Sequence, residues 1–182
     1  MKRLLIYFTF CIIIFSGCSS KTIKYESDAA LTRRAVNSRY TDLRVFIPKG
    51  WFPTEAQMDN FIDIWLTRDD YAASMIFLTV NIENSDFNTD NISLDRIFEL
   101  VKAKTEAEGN SIINPREKLI FSEKSLLAFE YTNPKEELLR TVIFPFNGVF
   151  YECRAIVLNS EAAPSEIFNV QNSVLKSAFT FN

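Results

Sequence analysis

The stretch LLRTVIFPFNGVFYECRAIVL, Leu138 to Leu158, decides the fold. Two apolar runs flank Asn147-Gly148, a pair suited to a two-residue hairpin turn because both turn positions require positive φ. On the return run Tyr151, Cys153, Ala155 and Val157 share one face and Glu152 and Arg154 the other, since strand side chains alternate. Cys153 therefore reads as a small buried apolar residue rather than a nucleophile.

The neighbouring segments extend that hairpin into a meander. Lys118 to Phe121 and Leu126 to Thr132 flank Ser122-Glu123-Lys124, and Asn133-Pro134-Lys135 breaks the chain before Leu138. Downstream, Pro164 and Ser165 open a helix that carries Ile167, Val170, Val174 and Ala178 on one side and ends near Phe179. Upstream, Ser93 is an N-cap with Asp95 in the first turn. Leu94, Ile97, Phe98 and Val101 follow at helical spacing, and Gly109-Asn110 ends that helix.

Further toward the N-terminus, Ile62, Ile64 and Leu66 alternate, Arg68-Asp69-Asp70-Tyr71 supplies a turn, and Ser74 to Ile82 forms a second strand. Ile76, Leu78, Val80 and Ile82 line one face of it while Met75 and Phe77 begin the other. Apolar residues on both faces mean a sheet covered on both sides. Leu43, Val45 and Ile47 form a short strand that stops at Pro48-Lys49-Gly50. Helices do not separate every strand pair, so the class is α+β: an antiparallel sheet sandwiched by helices, in a single domain over 41–182.

This order, with Val45-Phe46-Ile47-Pro48-Lys49-Gly50-Trp51 closing the first strand and Ser177-Ala178-Phe179 ending the last helix, resembles the PsbP-like family. That superfamily includes the photosystem II extrinsic protein and the yeast Ran-binding nuclear transport factor. The resemblance covers about Leu43 to Asn182. It implies the sandwiched sheet and an accessory or binding role rather than an enzymatic one, and it carries no site residues across. Pro48 and Gly50 also have a plain reading as strand terminators, with Trp51 capping the core. Alternatively Trp51 and Phe52, with Pro53, form an exposed aromatic partner surface.

Residues 1–17 are unlike the rest and read as a cleaved signal peptide. Lys2 and Arg3 precede an apolar run from Leu4 to Phe15, interrupted only by Thr9. A spanning helix needs roughly 20 apolar residues, so this run fits a secretory signal better. Phe15-Ser16-Gly17-Cys18 resembles the bacterial lipobox, with Phe where Leu is usual, and implies cleavage before Cys18 and lipidation of Cys18. Two other readings of these residues stay open: an uncleaved anchor, and ordinary signal cleavage that leaves Cys18 as a free thiol.

A multiply acylated Cys18 would hold the protein on a membrane without any further lipid-binding surface. The expected location is the periplasmic side of a membrane. Ser19 beside the cysteine, rather than Asp, resembles lipoproteins sent to the outer membrane where the host has one. Ser19 to about Arg39 is polar and aperiodic, so 18–40 reads as a lipidated N-terminus and a tether lifting the domain off the bilayer, with a short helical turn around Ala29 to Val36.

Composition removes several function classes. Without the first 17 residues, 165 remain, with 18 basic and 23 acidic side chains, a net charge of about −5. That balance argues against a nucleic-acid partner, which would require a basic patch. Cys153 is the only cysteine left after Cys18, so no disulfide framework exists. No histidine occurs anywhere, which removes Ser-His-Asp and Cys-His activation and the commonest zinc ligand.

Ser173-Val174-Leu175-Lys176 matches a Ser-x-x-Lys pattern in letters, but lies inside the last helix without companion motifs. No glycine-rich phosphate loop exists, and no cofactor is implied. Asp69-Asp70 and Glu136-Glu137 fall in turns, where charges are normally solvated. Asn84 to Asp90 alternates oxygen-bearing side chains as calcium loops do, yet no EF-hand register fits, and a solvated loop explains it.

The function expected from the sequence is a non-catalytic, membrane-anchored binding domain with a protein partner around Trp51 or Phe144 to Phe150. The alternatives are an envelope hydrolase with a carboxylate site, and a small-ligand carrier.

Overall fold

A computed structural model describes residues 25–55, 61–80, 93–159 and 162–180. Cys18, the apolar leader and the Asn84 to Asp90 run lie outside them. Among the described residues, nine strands and two helices follow in the order β1 (Leu31–Asn37), β2 (Arg44–Pro48), β3 (Trp51–Pro53), β4 (Ile62–Arg68), β5 (Ala73–Thr79), α1 (Leu94–Ala107), β6 (Ser111–Phe121), β7 (Lys124–Thr132), β8 (Leu138–Phe146), β9 (Val149–Val157) and α2 (Pro164–Thr180). Seven strands make one antiparallel sheet ordered β3-β4-β5-β9-β8-β7-β6, and β1 and β2 make a separate antiparallel pair.

The class is α+β, as the sequence pattern predicts. The β8–β9 hairpin turns at Asn147 (φ 45°) and Gly148 (φ 80°) and pairs Phe146 with Val149. Tyr151, Cys153, Ala155 and Val157 of β9 face α2, which lays Val170, Val174, Leu175 and Ala178 over that side of the sheet. The opposite side receives Ile97, Phe98 and Val101 of α1, packed on Leu127, Phe129, Tyr131, Leu139 and Ile143. Helix α1 starts where expected, with Ser93 Oγ accepting from the Arg96 amide. It is followed by Gly109 at φ 86°, a backbone state that glycine adopts without strain.

Three segments depart from the sequence expectation. The stretch read as a tether is part of the fold from Tyr25 onward, and its supposed helical turn is strand β1, paired with β2 from Leu31↔Pro48 to Asn37↔Arg44. Its own residues, LTRRAVN, show no clean alternation. The strand exists because β2 supplies its hydrogen bonds and Leu31 and Val36 seat on the core cluster, which no local pattern announces. Strand β6 begins at Ser111, seven residues before the predicted start. Pro115 and two register shifts hide that half, and both are normal protections for an exposed edge. The opposite edge is the three-residue β3, Trp51–Pro53, a strand that the sequence pattern does not announce.

Candidate functional site

The aromatic pair proposed as a partner surface is divided by strand alternation. Trp51 turns toward α2 and packs against the two apolar clusters on that side, capping the core. Phe52 points to the other side and meets Tyr71 edge-on at 5.9 Å between ring centroids. Tyr71 is 69% exposed. On the same sheet face, Trp65 and Ile76 are only half-buried. Helix α1 rests on β7 and β8, so among the described residues the β3–β4–β5 half of this sheet face lacks a covering helix.

Phe144 and Phe146 belong to the core instead of a surface patch. Phe144 stacks on Tyr151 at 5.6 Å and meets Phe77 and Phe179 edge-on. Cys153 is fully buried, as its phase on β9 predicts. Burial pushes its thiol up to about 12, partly offset by the nearby Gln171 amide, so no thiolate is available at neutral pH. Ser173 is likewise structural: its hydroxyl donates to Asn169 O and accepts from the Ala29 amide.

The carboxylates found in turns hold those turns together. Asp70 accepts from the Ala72 amide and pairs with Arg68 at 3.1 Å. Glu137 accepts from the Asn133 side chain. Trp51 borders a shallow cavity of about 410 Å³, shared with Asp28, Lys49, Arg68, Asp69 and Glu166. Among the described residues no three His, Cys, Asp or Glu side chains converge as metal ligands.

The largest polar assembly was not anticipated. Arg140 on β8 is fully buried on the α2 side. Its Nη2 donates to Glu117 Oε2 at 3.0 Å, and its Nη1 to Gln171 Oε1 at 2.8 Å and Asn172 Oδ1 at 3.0 Å. Gln171 Nε2 in turn donates to the Cys153 carbonyl at 2.8 Å and to that of Arg140 at 3.2 Å, stitching α2 to β8 and β9. The Arg140 guanidinium lies 5.0 Å from the Tyr25 ring centroid, and the Tyr25 hydroxyl donates to Glu130, which also accepts from Asn114.

This assembly binds the N-terminal residues as a strap across α2. Asn172 Nδ2 donates to Tyr25 O, Asn169 Oδ1 accepts from the Glu26 amide and Ser173 Oγ from the Ala29 amide. Tyr25 itself is 8% exposed and packs edge-on against Phe168. The carboxylates of Glu117 and Glu130 are thus spent inside a closed interface rather than aimed into a cleft. The sequence carries a signal for it: Glu130 and Arg140 stand in phase with the core positions Ala128 and Val142. Such in-phase charges require buried partners. The sequence does not say which partners they find.

No protein-family model and no curated protein matches the chain. Among solved structures, the fold is similar to that of cyanobacterial PsbP from Synechocystis, with 13% identity, coverage of 90% of this chain and 97% of that one, and a TM-score of 0.55. Two others are more distant. LpqN of Mycobacterium tuberculosis, involved in cell envelope biogenesis, has 11% identity, coverage of 71% and 78%, and a TM-score of 0.47. The Pseudomonas aeruginosa protein PA94, of unknown function, has 10% identity, coverage of 82% and 96%, and a TM-score of 0.42. The domain has the PsbP-like fold.

Proposed function

We propose that this protein is a lipid-anchored envelope lipoprotein whose PsbP-like domain is a non-catalytic accessory module that engages a protein partner. The supporting observation is where its polar chemistry goes. The buried acids Glu117 and Glu130 serve the α2 interface and the strap, while the exposed Tyr71 and the half-buried Phe52 it packs against stand at a sheet edge without a covering helix among the described residues. Rigid aromatics on a half-open sheet face give a partner apolar area at low entropic cost. Anchoring rests on the Phe15-Ser16-Gly17-Cys18 motif, with Cys18 as the acylated residue, and the outer membrane is the expected destination where the host has two.

Two experiments test this reading. Cys18→Ala moves the protein from the membrane to the soluble fraction; persistence on carbonate-washed membranes would defeat the lipid anchor. A photo-crosslinking residue at Phe52 or Tyr71, used in intact cells, yields a discrete adduct that one at Ser122 on the far turn does not. Equal adducts at all three positions, or none, would remove the partner surface. The hydrolase alternative gains less support: Glu117 and Glu130 are closed inside the α2 interface, and the acids that do border the shallow cavity beside Trp51, Asp28, Asp69 and Glu166, share it with Lys49 and Arg68.

A further inference from the structure

We infer that the strap controls the partner edge: a docked Tyr25 holds Tyr71 in the position a partner reads, and a bound partner in turn holds the strap down. This deepens, and rests on, the proposed partner surface at Phe52 and Tyr71. Among the described residues Tyr71 is the one aromatic residue with a positive φ, 61°. A bulky side chain rarely adopts that backbone state, which persists only where the surroundings impose it.

Here the next residue imposes it. The Ala72 amide donates to Asp70 Oδ1, and the Ala72 carbonyl accepts from the Leu158 and Asn159 amides. The Ala72 side chain is buried in the apolar cluster that also contains Tyr25 and Phe168. Trp51, directly before Phe52, packs against the same cluster. Each edge aromatic therefore adjoins in sequence a residue seated with the tyrosine of the strap.

A polar route joins the same two regions. The Ala30 carbonyl at the end of the strap accepts from the Lys49 amide at 2.9 Å, and the Gly50 carbonyl accepts from the Asp69 amide at 2.9 Å. Asp69 stands two residues before Tyr71. Strap, Lys49-Gly50 turn and Asp69 all border the cavity of about 410 Å³, which gives the turn room to shift once the strap leaves. The strap can leave without dismantling the interface beneath it. Arg140 keeps Glu117, Gln171 and Asn172 Oδ1, and Glu130 keeps Asn114. Docked and free are thus two states of one element that both regions bias. By linkage, the factor by which docking tightens partner binding is the factor by which the partner favours docking.

The test follows amide hydrogen exchange in the full-length protein in detergent micelles, where the rate reports local opening. Tyr25→Phe removes the hydroxyl donated to Glu130, and Glu26→Pro removes the amide donated to Asn169 at an exposed position. Both are expected to speed exchange at Ala29, whose amide donates to Ser173. Asp69 and Tyr71 are expected to speed up with it, by roughly 5-fold or more, while Phe129 in β7 keeps its rate. Ile97→Ala on the α1 face should not move Asp69 and Tyr71 ahead of Phe129. Faster exchange at Ala29 alone, an equal rise at all four amides, or a strap that stays closed in both variants would overturn the coupling. In intact cells, a photo-crosslinking residue at Phe52 should give severalfold less adduct with Tyr25→Phe than without it. Equal adduct would overturn control by the strap and leave the surface standing. No adduct from the parent would overturn the partner surface, whatever the exchange rates show.

Discussion

The two faces of the seven-stranded sheet are held by different physics. Under α1 the contact is apolar: Phe98 meets Phe129 edge-on at 5.7 Å, with Ile97, Leu127 and Ile143 around them. Under α2 an equally buried surface contains Arg140, Glu117, Glu130, Asn114, Gln171 and Asn172. An apolar interface stabilises in proportion to area and tolerates small shifts. A buried ionic network repays its desolvation only when every donor meets its acceptor, so it accepts one helix register and one position of the strap. The α2 face therefore determines how the N-terminus docks, and the α1 face adds cohesion.

Substitutions at the two faces should separate these roles. The largest effect is expected from Arg140→Met, which keeps the bulk but removes the guanidinium facing Glu117: a loss of about 3–5 kcal/mol by urea unfolding. A loss below about 1 kcal/mol would show that the network contributes little. Tyr25→Phe removes the hydroxyl donated to Glu130, costs about 1.5–3 kcal/mol, and frees the strap for proteolysis ahead of the domain. Stability lost without added protease sensitivity at the strap would separate Tyr25 from docking. On the dry face Ile97→Val should cost about 0.5–1.5 kcal/mol and leave strap proteolysis unchanged.

The smallest effect near neutrality concerns pH. The Cys153 thiol is raised by burial to about 12 from an ordinary value near 9. Above pH 9 the unfolded chain therefore releases a proton that the native state keeps, and stability falls as pH rises, by at most about 1.4 kcal/mol per unit from this group. Tyr131 and Tyr151, also raised by burial, add the same sign above about pH 10. Between pH 9 and 10 the urea midpoint of Cys153→Ala should fall less steeply than that of the parent. Parallel slopes would mean that the thiol titrates alike in both states.

Much of this architecture is legible in the sequence, and the reason is periodicity. Asn147-Gly148 between apolar runs, the Ser93 cap and the alternation Tyr151-Cys153-Ala155-Val157 are local signals with one physical meaning each. The misreadings fall where a segment depends on distant partners. Strand β1 is half-exposed and weakly patterned, and its pairing with β2 and the seating of Leu31 and Val36 on the core create it. Trp51 and Phe52 look like one aromatic patch in sequence, yet alternation on β3 sends them to opposite sides.

The sequence alone determined the α+β class, the main hairpins, both helices and the burial of Cys153. Tertiary structure alone decided that residues 25–37 of the supposed tether are part of the fold, because Asn169, Asn172, Ser173 and Glu130 that hold Tyr25 to Ala29 lie more than a hundred residues away. Hydrogen bonds across such separations leave no period in the chain that makes them.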